Sequence, residues 1–506
     1  MARMTPTDSP IDGVDPAPEL ASDDPLSVLD SPTAGGRVIR GGVLRLGTYA
    51  AGVALGIGSA ALMTRYLGVE DFGRYVIVTS LIAMVAGLTE AGVTNIAARE
   101  FATKDRRERD RLLANVIGIR LGVAVVGVLA ATGFAAVAGY DRTMVIGTVV
   151  AGVGLLIATV QQTYSIPIGV ALRFGWLSAL DLVRQAAFVA IVITLLLAGA
   201  GLLPLLAATV PASLVALAVS IPLVRGQAPL LPRFERAEWL RIVRLVGVYA
   251  AAAAVGTIYV SAVVIVTSLV GTADDAGYLG AAFRIFTVLA LIPLILVSTA
   301  FPVLARAAHT DHERLQYAVQ RLVDIALIVG TWMALATGLG AGIAIQIVAG
   351  ADFEPAVKVL EIESVALLSG FLAVTGALAL VSMHRHLALL LGNLAGLATI
   401  VVLAALLVPA HGAEGAALAL VIADSGLVLL YGAVLFGSRV VHYDPELVPR
   451  VAVAAVLAFA LVFTPLEDIA LVVAATVVYW LVLLLLRGLP AEVIDALLRR
   501  EPRSTA

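Results

Sequence analysis

VLRLGTYAAGVALGIGSAALMTRYL fills residues 43–67, and after the short turn GVED the chain continues as FGRYVIVTSLIAMVAGLTEAGVTNIA at 72–97. Each stretch exceeds the roughly 20 apolar residues a helix needs to cross a hydrocarbon core of about 30 Å. No water is available there to satisfy backbone N–H and C=O groups, so a crossing segment must satisfy them within itself, as a helix does. Similar stretches recur at about 112–138, 143–167, 175–199, 202–224, 241–270, 277–303, 319–349, 355–383, 387–409, 413–436, 448–464 and 468–487. Composition agrees: 60% of the 506 residues are hydrophobic and 14% are charged, against roughly 25% charged in a soluble domain. The expected fold is an all-α polytopic membrane protein with 14 transmembrane helices.

Orientation follows from Lys and Arg, because short basic loops are retained in the cytoplasm. With the amino terminus inside, 26 of the 33 fall on the inner face, among them Arg99, Lys104, Arg106, Arg107, Arg109 and Arg111. Arg65, Arg74, Arg142 and Lys358 fall outside, while Arg120, Arg184 and Arg284 lie within spans. An even number of helices returns the carboxyl terminus to the cytoplasm. The expected location is therefore the cell membrane, with many passes and both termini inside.

Residues 1–36 are rich in Pro, Ser, Asp and Ala and lack an apolar run, which predicts a disordered tail rather than a secretory signal. The chain has no cysteine, so disulfides, thiolate metal sites and cysteine nucleophiles are excluded. His384 and His386 read as two solvated side chains in a tight loop. Arginine outnumbers lysine 31 to 2 without any basic stripe interleaved with aromatics, so no nucleic-acid partner is expected. No catalytic residue, metal or cofactor is expected.

An internal repeat organises the spans. Leu67-Gly68-Val69-Glu70-Asp71-Phe72-Gly73-Arg74-Tyr75 stands between spans one and two, and Val270-Gly271-Thr272-Ala273-Asp274-Asp275-Ala276-Gly277-Tyr278 between spans seven and eight. Both read Gly, acidic pair, Gly, aromatic, and the span after each ends in Arg99 or Arg306. An even number of intervening helices preserves orientation. The expected arrangement is two six-helix lobes in pseudo-two-fold relation about the membrane normal, plus two C-terminal helices. The divisions are a tail at 1–36, an N-lobe at 37–224, a linker at 225–240, a C-lobe at 241–436, the last two helices at 437–487 and a tail at 488–506.

The stretch from Thr64 to Glu100, with Leu88-Thr89-Glu90-Ala91-Gly92 and Ala97-Ala98-Arg99-Glu100, resembles the amino-terminal signature of Wzx-type polysaccharide flippases. These belong to the multidrug/oligosaccharidyl-lipid/polysaccharide (MOP) superfamily. Gly277-Tyr278 through Arg284 to Pro293, and Gly412-Ala413-Glu414-Gly415-Ala416-Ala417, fit as well. The resemblance implies export of a polyprenyl-diphosphate-linked oligosaccharide from the inner to the outer leaflet, without covalent chemistry. It also implies a cleft lined by spans one, two, seven and eight. Other polysaccharide-assembly proteins are possible partners on this reading.

Candidate site residues are the intramembrane charges, which are costly and therefore face protein or a wet cavity. Arg284 is about seven residues into span eight, roughly 10 Å from the outer face. On the implied cleft it meets a diphosphate or acidic sugar, a task suited to its planar fork. The alternative is an ion pair with Glu361 or Glu363. Asp181 and Arg184 share a face of span five. Mutual neutralisation is the favoured reading, against an entry site with Arg184 on cargo and Asp181 on an ion. Arg120 is close enough to the cytoplasm to snorkel and is a weaker cargo candidate. Glu90 and Asp424 are candidates for coupling to H+ or Na+, or for structural hydrogen bonds. Gln161, Gln162 and Asn393 contact sugar hydroxyls or bridge helices, with bridging favoured. Pro293 removes a backbone hydrogen bond from span eight and is expected to bend it.

The expected mechanism is alternating access, with the headgroup in the cleft and the lipid tail in the bilayer. No phosphate-binding Gly-rich loop is present, so the energy must come from an ion gradient, the membrane potential or removal of product. The alternatives are an ion-coupled multidrug antiporter of the same superfamily and a membrane glycan polymerase or ligase. The latter is opposed by outer loops only a few residues long.

Overall fold

The computed structural model describes residues 34–90, 92–171, 173–225, 232–310, 312–441 and 446–488. Among them the regular structure is helical, with no strand. Helices α1 (Ala34–Glu90), α2 (Val93–Thr103), α3 (Arg106–Val137), α4 (Arg142–Val170), α5 (Phe174–Leu197), α6 (Leu202–Ala207) and α7 (Thr209–Val224) pack into one bundle. A second bundle holds α8 (Arg236–Val270), α9 (Ala273–Thr310), α10 (His312–Leu339), α11 (Ala341–Val348), α12 (Pro355–Ser382) and α13 (His386–Gly437). The bundles meet where α1 lies against α8 and α9. Helices α14 (Leu447–Phe459) and α15 (Asp468–Leu485) attach to α10, where the Tyr479 hydroxyl donates to the Ile328 carbonyl at 2.7 Å and the Trp332 indole to Thr476 at 3.3 Å.

Ten of these helices, and α6 with α7 taken together as Leu202–Val224, are long and apolar enough to cross a membrane, which makes eleven candidate spans among the described residues. The expected fourteen separate spans differ from this count for a local reason. Helix α1 turns at Gly68 (φ 70°) and α13 at Gly412 (φ 53°), so each is a pair of arms joined by one left-handed residue. Glycine adopts that conformation without the Cβ clash other residues meet. The thirteenth expected span is a short apolar stretch, Leu447–Phe463, whose end is a 3₁₀ turn. Helix α1 begins at Ala34, inside the tail expected at 1–36; the rest of that tail and residues 489–506 lie outside the described residues. Helix α9 stays helical across Pro293.

Side chains from the polar turns start the helices. Asp105 accepts from the Glu108 amide at 2.9 Å to open α3, and Asp141 from the Met144 amide at 2.8 Å to open α4. Thr272 and Asp275 cap α9 reciprocally: the Asp275 amide donates to the Thr272 hydroxyl at 3.1 Å, and the Thr272 amide to the Asp275 carboxylate at 2.8 Å. The second Asp275 oxygen accepts from the Ala413 amide at 3.1 Å. One carboxylate thus fixes the turn before α9 beside the bend of α13.

The ends of the helices define two faces. One carries the turns at Gly68 and Gly271. The other is rich in arginine, and there the start of α8 is tied back to the first bundle. Arg111 pairs with Glu235, and Arg241 with Glu238 at 2.7 Å and Glu100 at 3.1 Å. Hydrogen bonding from Arg111 and Arg241 holds the Glu235 and Glu238 carboxyls below the usual carboxylate range. Gly247 (φ 51°) bends α8 just beyond this tie.

Candidate functional site

A cavity of about 480 Å³ lies between the bundles, walled by the first arm of α1, by α5 and by α9. Helical periodicity explains its lining: Asp181, Arg184 and Gln185 share one face of α5, while Arg284, Thr287, Val288 and Leu291 repeat at three- and four-residue steps along α9. On the opposite wall, α1 contributes Thr48, Val53 and Ile57 together with Gly52 and Gly56, and the two glycines, four apart, bring its backbone to the cavity. Arg284 is 284 − 273 = 11 residues beyond the start of α9, about 16 Å along the axis. It is therefore deeper than a helix starting at 277 implied, because the capping box starts α9 earlier.

The Arg284 guanidinium is exposed to the cavity and donates to the Gly56 carbonyl at 3.3 Å. That carbonyl also accepts from Ser59 at 3.0 Å. Among the described residues Arg284 makes no ion pair, so the alternative pairing with Glu361 or Glu363 does not form. Five N–H donors against one long bond leave this group able to grip an anion. Arg184 and Asp181 line the same cavity. The shared face expected for Asp181 and Arg184 is present on α5, and it turns both toward the cavity. Helix α5 as a wall was not foreseen, since the expected cleft used spans one, two, seven and eight.

Arg120 corrects another expectation. It does not snorkel: it is 1% exposed, and its terminal nitrogens donate to Glu90 at 2.6 Å, Gln162 at 3.1 Å, and Thr94 and Thr163 at 3.2 Å. Glu90, Arg120 and Gln162, separately weighed for coupling, cargo and sugar, are one network joining α1, α2, α3 and α4. Its two charged ends differ, since the Glu90 side chain is 47% exposed. The neighbouring Gln161 is buried and takes no part.

Asp424 lines a second cavity, about 240 Å³, inside the second bundle. It is 7% exposed and accepts a short hydrogen bond from Tyr259 at 2.5 Å. Asn393 bridges helices there, donating to the Ala252 carbonyl at 2.8 Å and accepting from Tyr431 at 2.7 Å. Glu363, fully buried with both carboxylate oxygens lacking a hydrogen bond among the described residues, was considered from the sequence only as a partner for Arg284. Residues 366, 367 and 370, three, four and seven positions on along the same helix, line this cavity.

Residues 41–308, more than half the chain, match the polysaccharide biosynthesis protein family. The chain belongs to that family. No curated protein matches it at the sequence level. Its fold is similar to that of the lipid II flippase MurJ in an inward closed conformation, with a TM-score of 0.73 and 15% identity, covering 90% of this chain and 100% of that one. An inward-facing multidrug resistance MATE transporter of the MOP superfamily gives a TM-score of 0.62 at 15% identity, covering 78% and 98%. The eukaryotic MATE transporter AtDTX14 gives 0.57 at 13% identity, covering 80% and 98%. This member of the polysaccharide biosynthesis family is thus a multi-pass membrane protein whose fold is similar to that of the MurJ flippase and of MATE transporters.

Proposed function

We propose that the chain is a flippase that moves a polyprenyl-diphosphate-linked oligosaccharide from the cytoplasmic to the outer leaflet of the cell membrane, with the arginine-rich face and both termini in the cytoplasm. The observation that carries this reading is the Arg284 guanidinium, standing in an inter-bundle cavity with one carbonyl partner at 3.3 Å. A diphosphate supplies the acceptors this donor lacks, and a guanidinium binds phosphate oxygens through two parallel charge-assisted bonds. Arg184 adds a second cation on the facing wall. Helices 37–224 and 241–436 act as rocking lobes about this cavity, while the lipid tail remains in the bilayer.

The antiporter reading fits the same fold, but the charges of the cavity favour the glycolipid. Two guanidinium groups against one carboxylate repel a cationic drug and attract an anionic headgroup. Asp424 is the better candidate for coupling to H+ or Na+, because Glu90 is held by a buried guanidinium that its neutralisation would leave unbalanced.

Purified protein in liposomes containing a fluorescent polyprenyl-diphosphate disaccharide tests the proposal. The probe should become accessible to a quencher in the opposite compartment far faster than in protein-free vesicles, and a cationic dye should not cross. Transport of the dye with no movement of the glycolipid would sink the reading.

A further inference from the structure

We infer that the two copies of the repeated turn close on each other as a backbone-to-backbone gate over the cavity, and that Gly73 and Gly277 set how tightly it closes. The contact is reciprocal. A Cβ added at Gly73 would fall on the Ala273 carbonyl oxygen and stand 2.8 Å from the Gly277 nitrogen, while one added at Gly277 would fall on the Val69 carbonyl oxygen and stand 2.9 Å from Val69 Cγ1. Val69 precedes Gly73 by four residues, as Ala273 precedes Gly277. Each glycine therefore receives a carbonyl from the equivalent position of the other copy, as a local two-fold relation between the repeats requires. The close approach continues one turn on, where a Cβ at Gly280 would stand 2.6 Å from Val76 Cγ2.

Further bonds cross between the bundles at the same level. Thr64 donates to the Val348 carbonyl at 2.9 Å, and Arg65 to the Gln346 and Ile347 carbonyls at 3.0 and 2.8 Å. Phe353 of the second bundle presents its ring edge-on to Phe72 at 5.9 Å. The acidic pair does not cross the gate: Glu70 and Asp71 are held within their own turn by Arg74, at 2.6 and 3.1 Å. The seal thus consists of close backbone packing, an aromatic contact and hydrogen bonds accepted by backbone carbonyls. Small residues permit this approach of helices, and a side chain in the contact pushes backbones apart, since backbone cannot rotate aside as a flexible side chain can. Reversible closure of this kind suits a gate that must part in every cycle.

The inference rests on the alternating access of the proposed function, but its test requires no cargo. In this cysteine-free chain, a single cysteine replacing Thr287 marks the cavity wall, and an impermeant thiol reagent is applied from the face bearing the turns. Labelling should be slow in the parent and about tenfold faster in Gly73→Ala and Gly277→Ala, as a shift in a two-state population gives. Gly133→Ala and Gly426→Ala, where an added Cβ meets nothing within 4 Å, should label at the parent rate. Should the gate variants not fold, Thr64→Val decides: it keeps the number of non-hydrogen atoms and removes one bond across the gate, so labelling should rise there too. Parent-rate labelling in the folded gate variants would overturn the inference while leaving the cargo reading intact. A normal gate response without glycolipid flipping would count against the cargo reading alone.

Discussion

Arg120 and Arg284 present the same signal in sequence, an arginine inside an apolar span, and come to opposite ends. Arg120 is enclosed by four side-chain partners including Glu90, whereas Arg284 reaches open cavity with a single carbonyl at 3.3 Å. What separates them is whether neighbouring helices bring acceptors. A guanidinium whose donors are used locally holds helices together. One whose donors remain free has hydrogen bonds left to give to whatever enters the cavity.

The largest effect should come from unbalancing the enclosed arginine. Glu90→Ala leaves the Arg120 charge buried, and breaking a buried pair from one side costs about 3 kcal/mol even at the low end of its range. The low end applies because the Glu90 side chain is 47% exposed and water screens part of the interaction. Thermal unfolding of the purified variant should fall clearly, and adding Arg120→Leu should restore part of it. An unchanged unfolding midpoint would remove the distinction between the two arginines.

Arg284→Ala should behave in the opposite manner. Hydrogen bonds to charged groups contribute roughly 1.5 to 3 kcal/mol, so binding of the diphosphate headgroup should weaken about ten- to a hundredfold while the unfolding midpoint holds. Lysine should rescue partly, since it keeps the charge and loses the fork. Normal binding by the folded alanine variant would exclude Arg284 from cargo contact. Arg184→Ala, on the facing wall, should weaken the same binding by a smaller factor, about threefold to tenfold. A larger loss than at Arg284 would transfer the principal role to α5.

The smallest effect concerns the arginines of the rim. The Glu235 and Glu238 carboxyls are held below their usual range by Arg111 and Arg241. Their contribution to stability is therefore complete at neutral pH and is lost as pH falls through those lowered values. Unfolding midpoints measured from about pH 7 down to about pH 3 should decline less steeply in the Glu235→Gln, Glu238→Gln double variant than in the parent. Identical slopes would mean that these exposed pairs contribute nothing.

Most of the fold was legible because the bilayer leaves few solutions. Long apolar runs must be helices, and the turns between them announce themselves through glycine and acidic residues. The bends at Gly68 and Gly412 were readable as turns, although not as single residues within continuous helices. The site was legible only in part. Arg284, Arg184 and Asp181 were singled out, but the Arg120 network joins residues up to 73 positions apart in the chain, from Glu90 to Gln162 and Thr163, and no local pattern links them.

The sequence by itself determined the membrane environment, the helical class, the repeated turn and the short set of intramembrane charges, since each depends on local composition and spacing. The tertiary structure decided which charges pair, that α5 completes the cavity and that the two turns meet through their glycines. These are properties of distances between helices, and hydropathy is blind to them: a buried guanidinium and a cavity-facing one have the same apolar neighbours along the chain and differ only in what the next helix supplies.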